Sequence, residues 1–95
     1  MLGIEDIENA VREAARAQFP NSGVRVSVAR DTDSDGDAIF RIIVVLPSAE
    51  APTGNEVLSL ADRIVIRLRD MEADGFPLIS LMSQREAKQL RLETA

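Results

Sequence analysis

Ile4, Ile7, Val11, Ala14 and Ala15 recur at three- and four-residue intervals, which places them on one side of a helix, with Glu5 and Asp6 in its first turn where carboxylates meet the positive end of the dipole. The pattern ends before Phe19-Pro20, and Asn21-Ser22-Gly23 reads as a turn. Val24, Val26 and Val28 then alternate with Arg25, Ser27 and Ala29, the period of a half-buried strand. AIFRIIVVL, residues 38–46, is rich in β-branched side chains and stops at Pro47, so it predicts a second strand.

Thr53 and Glu56 stand in the relation of a capping box and predict the start of a second helix. Val57, Leu60, Ala61, Ile64, Leu68 and Met71 fall on one stripe of it, widened by Leu58 and Val65, and Gly75 is placed to end it. PLISLMS, residues 77–83, predicts a third strand. Ser83 and Glu86 repeat the capping box before AKQLRLE, which predicts a short C-terminal helix.

The order is α-β-β-α-β-α, which implies an α+β fold: a two-layer α/β sandwich in one domain, residues 1–95, with helices packed on one face of a three-stranded mixed sheet. A right-handed crossover through the second helix makes the second and third strands parallel.

The loop DTDSDGD, residues 31–37, is set by the strands around it. Ala38, Phe40, Ile42, Val44 and Leu46 share a parity and belong on the core face with Val24, Val26 and Val28. A two-residue turn at Asp35-Gly36 would split those faces and set Arg30 against Arg41. A three-residue loop, Ser34-Asp35-Gly36, pairs Val28 with Ile42, Val26 with Val44 and Val24 with Leu46, with Gly36 in the left-handed conformation. In that register Asp31, Asp33 and Asp37 gather on the outer rim, with Asp33 opposite Asp37. As an EF-hand loop the stretch matches at Asp31, Asp33, Asp35 and Gly36, but Ile42 stands where the bidentate Glu is required and strands replace the flanking helices.

Composition narrows the chemistry. The loop carries −4 of the net charge of −5, leaving −1 for the other residues, so the acidity is local. Three aromatics, all Phe, and 11 basic residues in an acidic chain supply neither the field nor the stacking platforms for nucleic acid. There is no His, Cys or Tyr, which removes the usual general bases, thiol nucleophiles and imidazole ligands. Gly54 stands alone and fits no phosphate loop. No catalytic set and no cofactor is assigned. No apolar run approaches membrane-spanning length, and the expectation is a cytoplasmic protein without membrane contact.

Once one sheet face is given to the helices, apolar residues remain on the other. The second strand presents Ile39, Ile43 and Val45 around Arg41, and the third must add either Leu78 and Met82 or Ile79 and Leu81. Such a patch marks an interface unless the chain covers it, and the last helix, with Ala87 and Leu90 on one side, is equally suited to do so. Ile66 adds an apolar residue amid the charged side of the second helix.

From residue 4 to about 82 the element order, with VLSLADRIVIRL in the second helix, resembles the cytoplasmic regulatory domain of cation-diffusion transporters. Those domains carry metal-binding His residues and this chain has none, so no residue role transfers. The order is also similar to BolA-like and KH-like domains, without the His of the first or the GxxG loop of the second. These readings lead to a small non-catalytic protein–protein interaction module. It would act as a homodimer or as an adaptor or antitoxin-like partner of a basic protein, in contact through Ile39, Arg41, Ile43, Val45 and Leu90. The alternative is a divalent-cation-responsive domain in which Asp31, Asp33, Asp35 and Asp37 hold calcium or magnesium weakly.

Overall fold

A computed structural model describes residues 3–20, 23–48 and 50–90. Among them the order is α1 (Ile4–Gln18), β1 (Arg25–Thr32), β2 (Ala38–Leu46), α2 (Gly54–Asp70), β3 (Phe76–Ser83) and α3 (Gln84–Gln89), the expected α-β-β-α-β-α. The proposed turn residues Asn21 and Ser22, and the end of the last helix beyond Leu90, lie outside the described residues.

The sheet order is β1-β2-β3, with β1 antiparallel and β3 parallel to the central β2. Val28 lies opposite Ile42 and Val26 opposite Val44, the register that the apolar parity demands. Val24 precedes the strand but still packs on the core. At the other end β1 runs to Thr32 and takes Asp31 into the ladder opposite Ile39.

The main core lies between the α1–α2 layer and one sheet face. Ile7, Val11 and Ala15 of α1 and Leu60, Ile64 and Leu68 of α2 meet Phe40, Ile42, Val44 and Leu46 of β2 and Leu81 of β3. Burying a large aliphatic side chain contributes about 1.5–3 kcal/mol, so these contacts dominate the fold's stability. Leu58, expected to widen the α2 stripe, is instead exposed, because it stands roughly 120° around the helix from the centre of the Leu60, Ile64 and Leu68 stripe.

Both capping boxes form. Glu56 N–H donates to Thr53 Oγ1 at 3.2 Å while Thr53 N–H donates to Glu56 Oε1 at 2.8 Å. Glu86 N–H donates to Ser83 Oγ at 3.2 Å and Ser83 N–H to Glu86 Oε1 at 3.0 Å. The end of α2 differs from expectation. The left-handed residue is Glu72, with φ 56°, and Ala73 N–H donates to Leu68 O while Glu72 N–H donates to Arg69 O, a Schellman closure built without glycine. Gly75 serves another purpose: a Cβ there would lie 2.7 Å from Phe40 Cε2, so only glycine lets the chain pass the Phe40 ring as it enters β3.

Candidate functional site

Parity assigns the outer face of the sheet. Arg25, Ser27, Ala29 and Asp31 of β1 stand opposite Val45, Ile43, Arg41 and Ile39 of β2. On the other side the same β2 residues stand beside Met82, Ser80, Leu78 and Phe76 of β3. The open alternative for β3 is thereby resolved: Leu78 and Met82 face outward and Ile79 and Leu81 face the core.

The last helix covers one end of this face. Ala87, fully buried, packs with Val45, Met82 and Ile43 in a second small core. It is held there by the Ser83–Glu86 capping box and by Gln84 N–H donating to Ser48 O at 3.0 Å. The self-covering role foreseen for this helix is therefore filled in part, on the face opposite α1 and α2.

The other end of the face is open. Phe76 is 66% exposed and Leu78 42%, on the outer side of an edge strand, and Leu90 at the end of α3 is 62% exposed. Of the residues expected to form a contact surface, Ile39 is 4% and Val45 7% exposed, so neither is on the open surface, Val45 lying under α3 at the other end. Ile43 is half-buried and Arg41 is exposed. Phe76 escaped the sequence reading because Pro77 reads as the start of a strand. The alternation that continues back through Leu78 to Phe76 is the signal that could have found it.

At the β1–β2 end the aspartates divide their tasks. Arg41 Nε donates to Asp31 Oδ2 at 2.7 Å, a diagonal cross-strand pair. That hydrogen bond, with a further one from Thr32 N–H, holds the Asp31 carboxyl below its ordinary range. Asp33 Oδ1 accepts from Asp35 N–H and Asp37 N–H, both at 2.9 Å, and so fastens the turn from within. Asp33 N–H donates to Asp37 O at 3.0 Å, Gly36 N–H donates to Asp33 O at 3.0 Å, and Gly36 adopts φ 85°, so the three-residue loop closes as expected.

Asp33, Asp35 and Asp37 each place one carboxylate oxygen within 4.8 Å of the others. Asp31 is not in this group, its carboxylate being turned to Arg41. The rim cluster therefore differs from the expected trio of Asp31, Asp33 and Asp37. Repulsion between neighbouring carboxylates is relieved where one of them finds a cation or an N–H donor, and Asp31 and Asp33 both do.

Charge is divided along the outer side of the molecule. The hairpin tip holds the four aspartates, and Asp74, two residues before Phe76, lies at the same end. The opposite end carries the exposed Arg25, beside Val45, and the exposed Arg85 and Lys88 of α3. Glu86 there accepts in the capping box but keeps its charge, so Arg85, Glu86 and Lys88 leave α3 with one net positive charge.

Elsewhere, Arg30 stands over the Phe40 ring at 5.6 Å from its centroid, beside the turn after α2. Arg67 of α2 pairs with Glu13 of α1 at 2.7 Å, in a groove that also holds the exposed Ile66. No helix of the described residues is long and apolar enough to cross a membrane. No protein-family model, curated protein or solved structure matches the chain.

Proposed function

We propose that this chain is a small non-catalytic protein-interaction module that engages its partner through the open end of its outer sheet face. The observation that supports this reading is the exposure of Phe76 and Leu78, two residues apart in β3 and beside Ile39 and Arg41, on the face that α1 and α2 do not use. An apolar patch on a sheet face is costly in water, and a partner relieves that cost. Pro77 lies between them in the edge strand and lacks an N–H, which disfavours pairing with an added strand and leaves the face as the contact surface.

The test compares the tagged full chain with a Phe76→Ser/Leu78→Ser variant, using Ile66→Ser as an exposed-residue control. The module reading expects either self-association in light scattering or a specific host protein retained by the unaltered chain and by Ile66→Ser, and lost with the double variant. A monomer at several hundred micromolar that retains nothing beyond the double variant refutes it.

A second reading, a divalent-cation-responsive domain, draws on the convergence of Asp33, Asp35 and Asp37. Any ligand that prefers the folded state raises its melting temperature. Titration calorimetry with calcium and magnesium at millimolar concentration, showing neither heat nor a change in melting temperature, rejects it.

A further inference from the structure

We propose that the partner is a second copy of this chain, docked outer face to outer face about a two-fold axis that lies in the interface and runs across the strands. This deepens the interaction-module reading and rests on it. The rotation sets the two β2 strands antiparallel, so the open, acidic end of each sheet meets the α3 end of the other.

Three features of the surface favour this occupant. The first is shape: α3 covers only the Val45–Met82 end, leaving Phe76 and Leu78 bare at the other. Under the proposed rotation each α3 sits between two sheets, its buried side on its own Val45 and Met82 and its Leu90 end against Phe76 and Leu78 of the other copy. The second is charge. The bare end is bordered by Asp35 and Asp37, whereas α3 exposes Arg85 and Lys88, so the two ends attract across the axis. The third is self-complementarity: a two-fold interface must carry both halves of every contact on one surface. This face carries apolar residues at both ends and opposite charge at its two ends.

Size sets the expected strength. Strands of eight or nine residues, three abreast, give a face of roughly 26 by 14 Å. For two copies that is about 700 Å² of flat sheet, less than the roughly 1,200 Å² at which stable complexes begin, so the expected dimer is weak and transient and is seen only at high concentration. Symmetry repeats each contact, so one substitution alters two of them.

Sedimentation velocity on the full chain from about 1 to 300 μM tests the arrangement, with circular dichroism checking that each variant folds. Reversing the tip by Asp35→Lys/Asp37→Lys spares Asp31 and Asp33, which have structural partners. Reversing the helix by Arg85→Glu/Lys88→Glu spares the capping box. Each reversal alone should weaken self-association about tenfold or more, because like charges then face each other. An equimolar mixture of the two reversed variants should associate again, as a heterodimer, since each basic tip then faces an acidic helix. That recovery cannot come from misfolded chains. A wild-type monomer throughout the range overturns the second copy as partner, and the interaction-module reading is judged separately by the Phe76→Ser/Leu78→Ser comparison. A dimer indifferent to both reversals, or a mixture that fails to reassociate, overturns the two-fold arrangement.

Discussion

Replacing Gly75 with Ala isolates one close approach on which the start of β3 depends. The added Cβ would lie 2.7, 3.0 and 3.2 Å from Cε2, Cδ2 and Cζ of Phe40, where carbon atoms prefer about 3.5–4.0 Å. Relief requires the ring or the chain to move by roughly 0.8 Å or more. Phe40 is 2% exposed, packed in the main core and overlaid by the Arg30 guanidinium, so the ring can yield only toward the cleft that it lines with Met71, Ala73 and Asp74. Overpacking of this kind costs about 1–3 kcal/mol, while the stiffer unfolded chain returns about 0.4–1 kcal/mol. The expected balance is a loss of about 1–2 kcal/mol, or roughly a 5–10 °C fall in melting temperature for a domain of this size. Urea unfolding followed by circular dichroism at 222 nm measures it, since the chain has no Trp or Tyr to report by fluorescence. In a Phe40→Leu background the same substitution should cost little, giving a coupling of at least about 0.5 kcal/mol. A Gly75→Ala protein as stable as the parent, or a cost unchanged by Phe40→Leu, would refute the contact as the reason for glycine.

Four further outcomes follow from the local geometry. Glu72→Gly should stabilise the domain by about 0.5–1 kcal/mol in the same unfolding assay, because φ 56° strains any side chain but suits glycine. Ser83→Ala removes the cap of the six-residue α3 and should cost about 1 kcal/mol, with faster amide exchange at Val45 and Met82 as that helix loosens. Asp33→Ala, which leaves the Asp35 and Asp37 amides without their acceptor, should cost about 1–2 kcal/mol, whereas Asp35→Ala should stay within about 0.5 kcal/mol. The Asp31 carboxyl titrates below its ordinary value in the folded state, so its contribution is present above that value and is lost as pH falls through the lowered one. Arg41→Gln should bring the NMR-detected titration of Asp31 back up and flatten the stability profile below about pH 4.

Much of the architecture could be read from local rules because those rules agreed with one another. Strand parity ruled out the two-residue turn at Asp35-Gly36, which would have placed part of Val26, Val28, Ile42 and Val44 on the wrong face, and left a loop centred on Asp35. The two capping boxes marked helix starts because each side chain satisfies an amide only a few residues away. The departures come where a local signal had a remote cause. Gly75 resembled a helix stop, but its reason is the ring of Phe40 far back in the sequence. Leu58 fitted the margin of the apolar stripe of α2, yet only the residues nearest the centre of that stripe reach the sheet. The candidate surface was half legible. Its face and its dependence on the last helix followed from counting apolar residues, but Val45 proves buried and Phe76 exposed, which depends on the end of the sheet that α3 covers, and Ile39 is buried even at the open end.

The aspartate loop shows why counting carboxylates misjudges what they can do. Four acids in seven positions suggest one site, but two of them are committed locally: Asp31 neutralises Arg41 in the middle of the outer face, and Asp33 folds the turn. Neutralising Arg41 leaves the centre of the face nearly without net charge, and the neutral Ser27 and Ser80 flank Ile43 in the neighbouring rows. The charge left uncommitted, on Asp35 and Asp37, stands at the very end of the hairpin, where it meets solvent or an approaching partner. A surface with a neutral, partly apolar centre and opposite charges at its two ends has a preferred direction of approach. Charge at the ends steers and orients an encounter, while the apolar residues hold it once formed. That division of labour suits a weak, oriented complex, whereas a cation at the tip would have to draw on Asp35, Asp37 and the second oxygen of Asp33, whose Oδ1 accepts the two amides that hold the turn in shape.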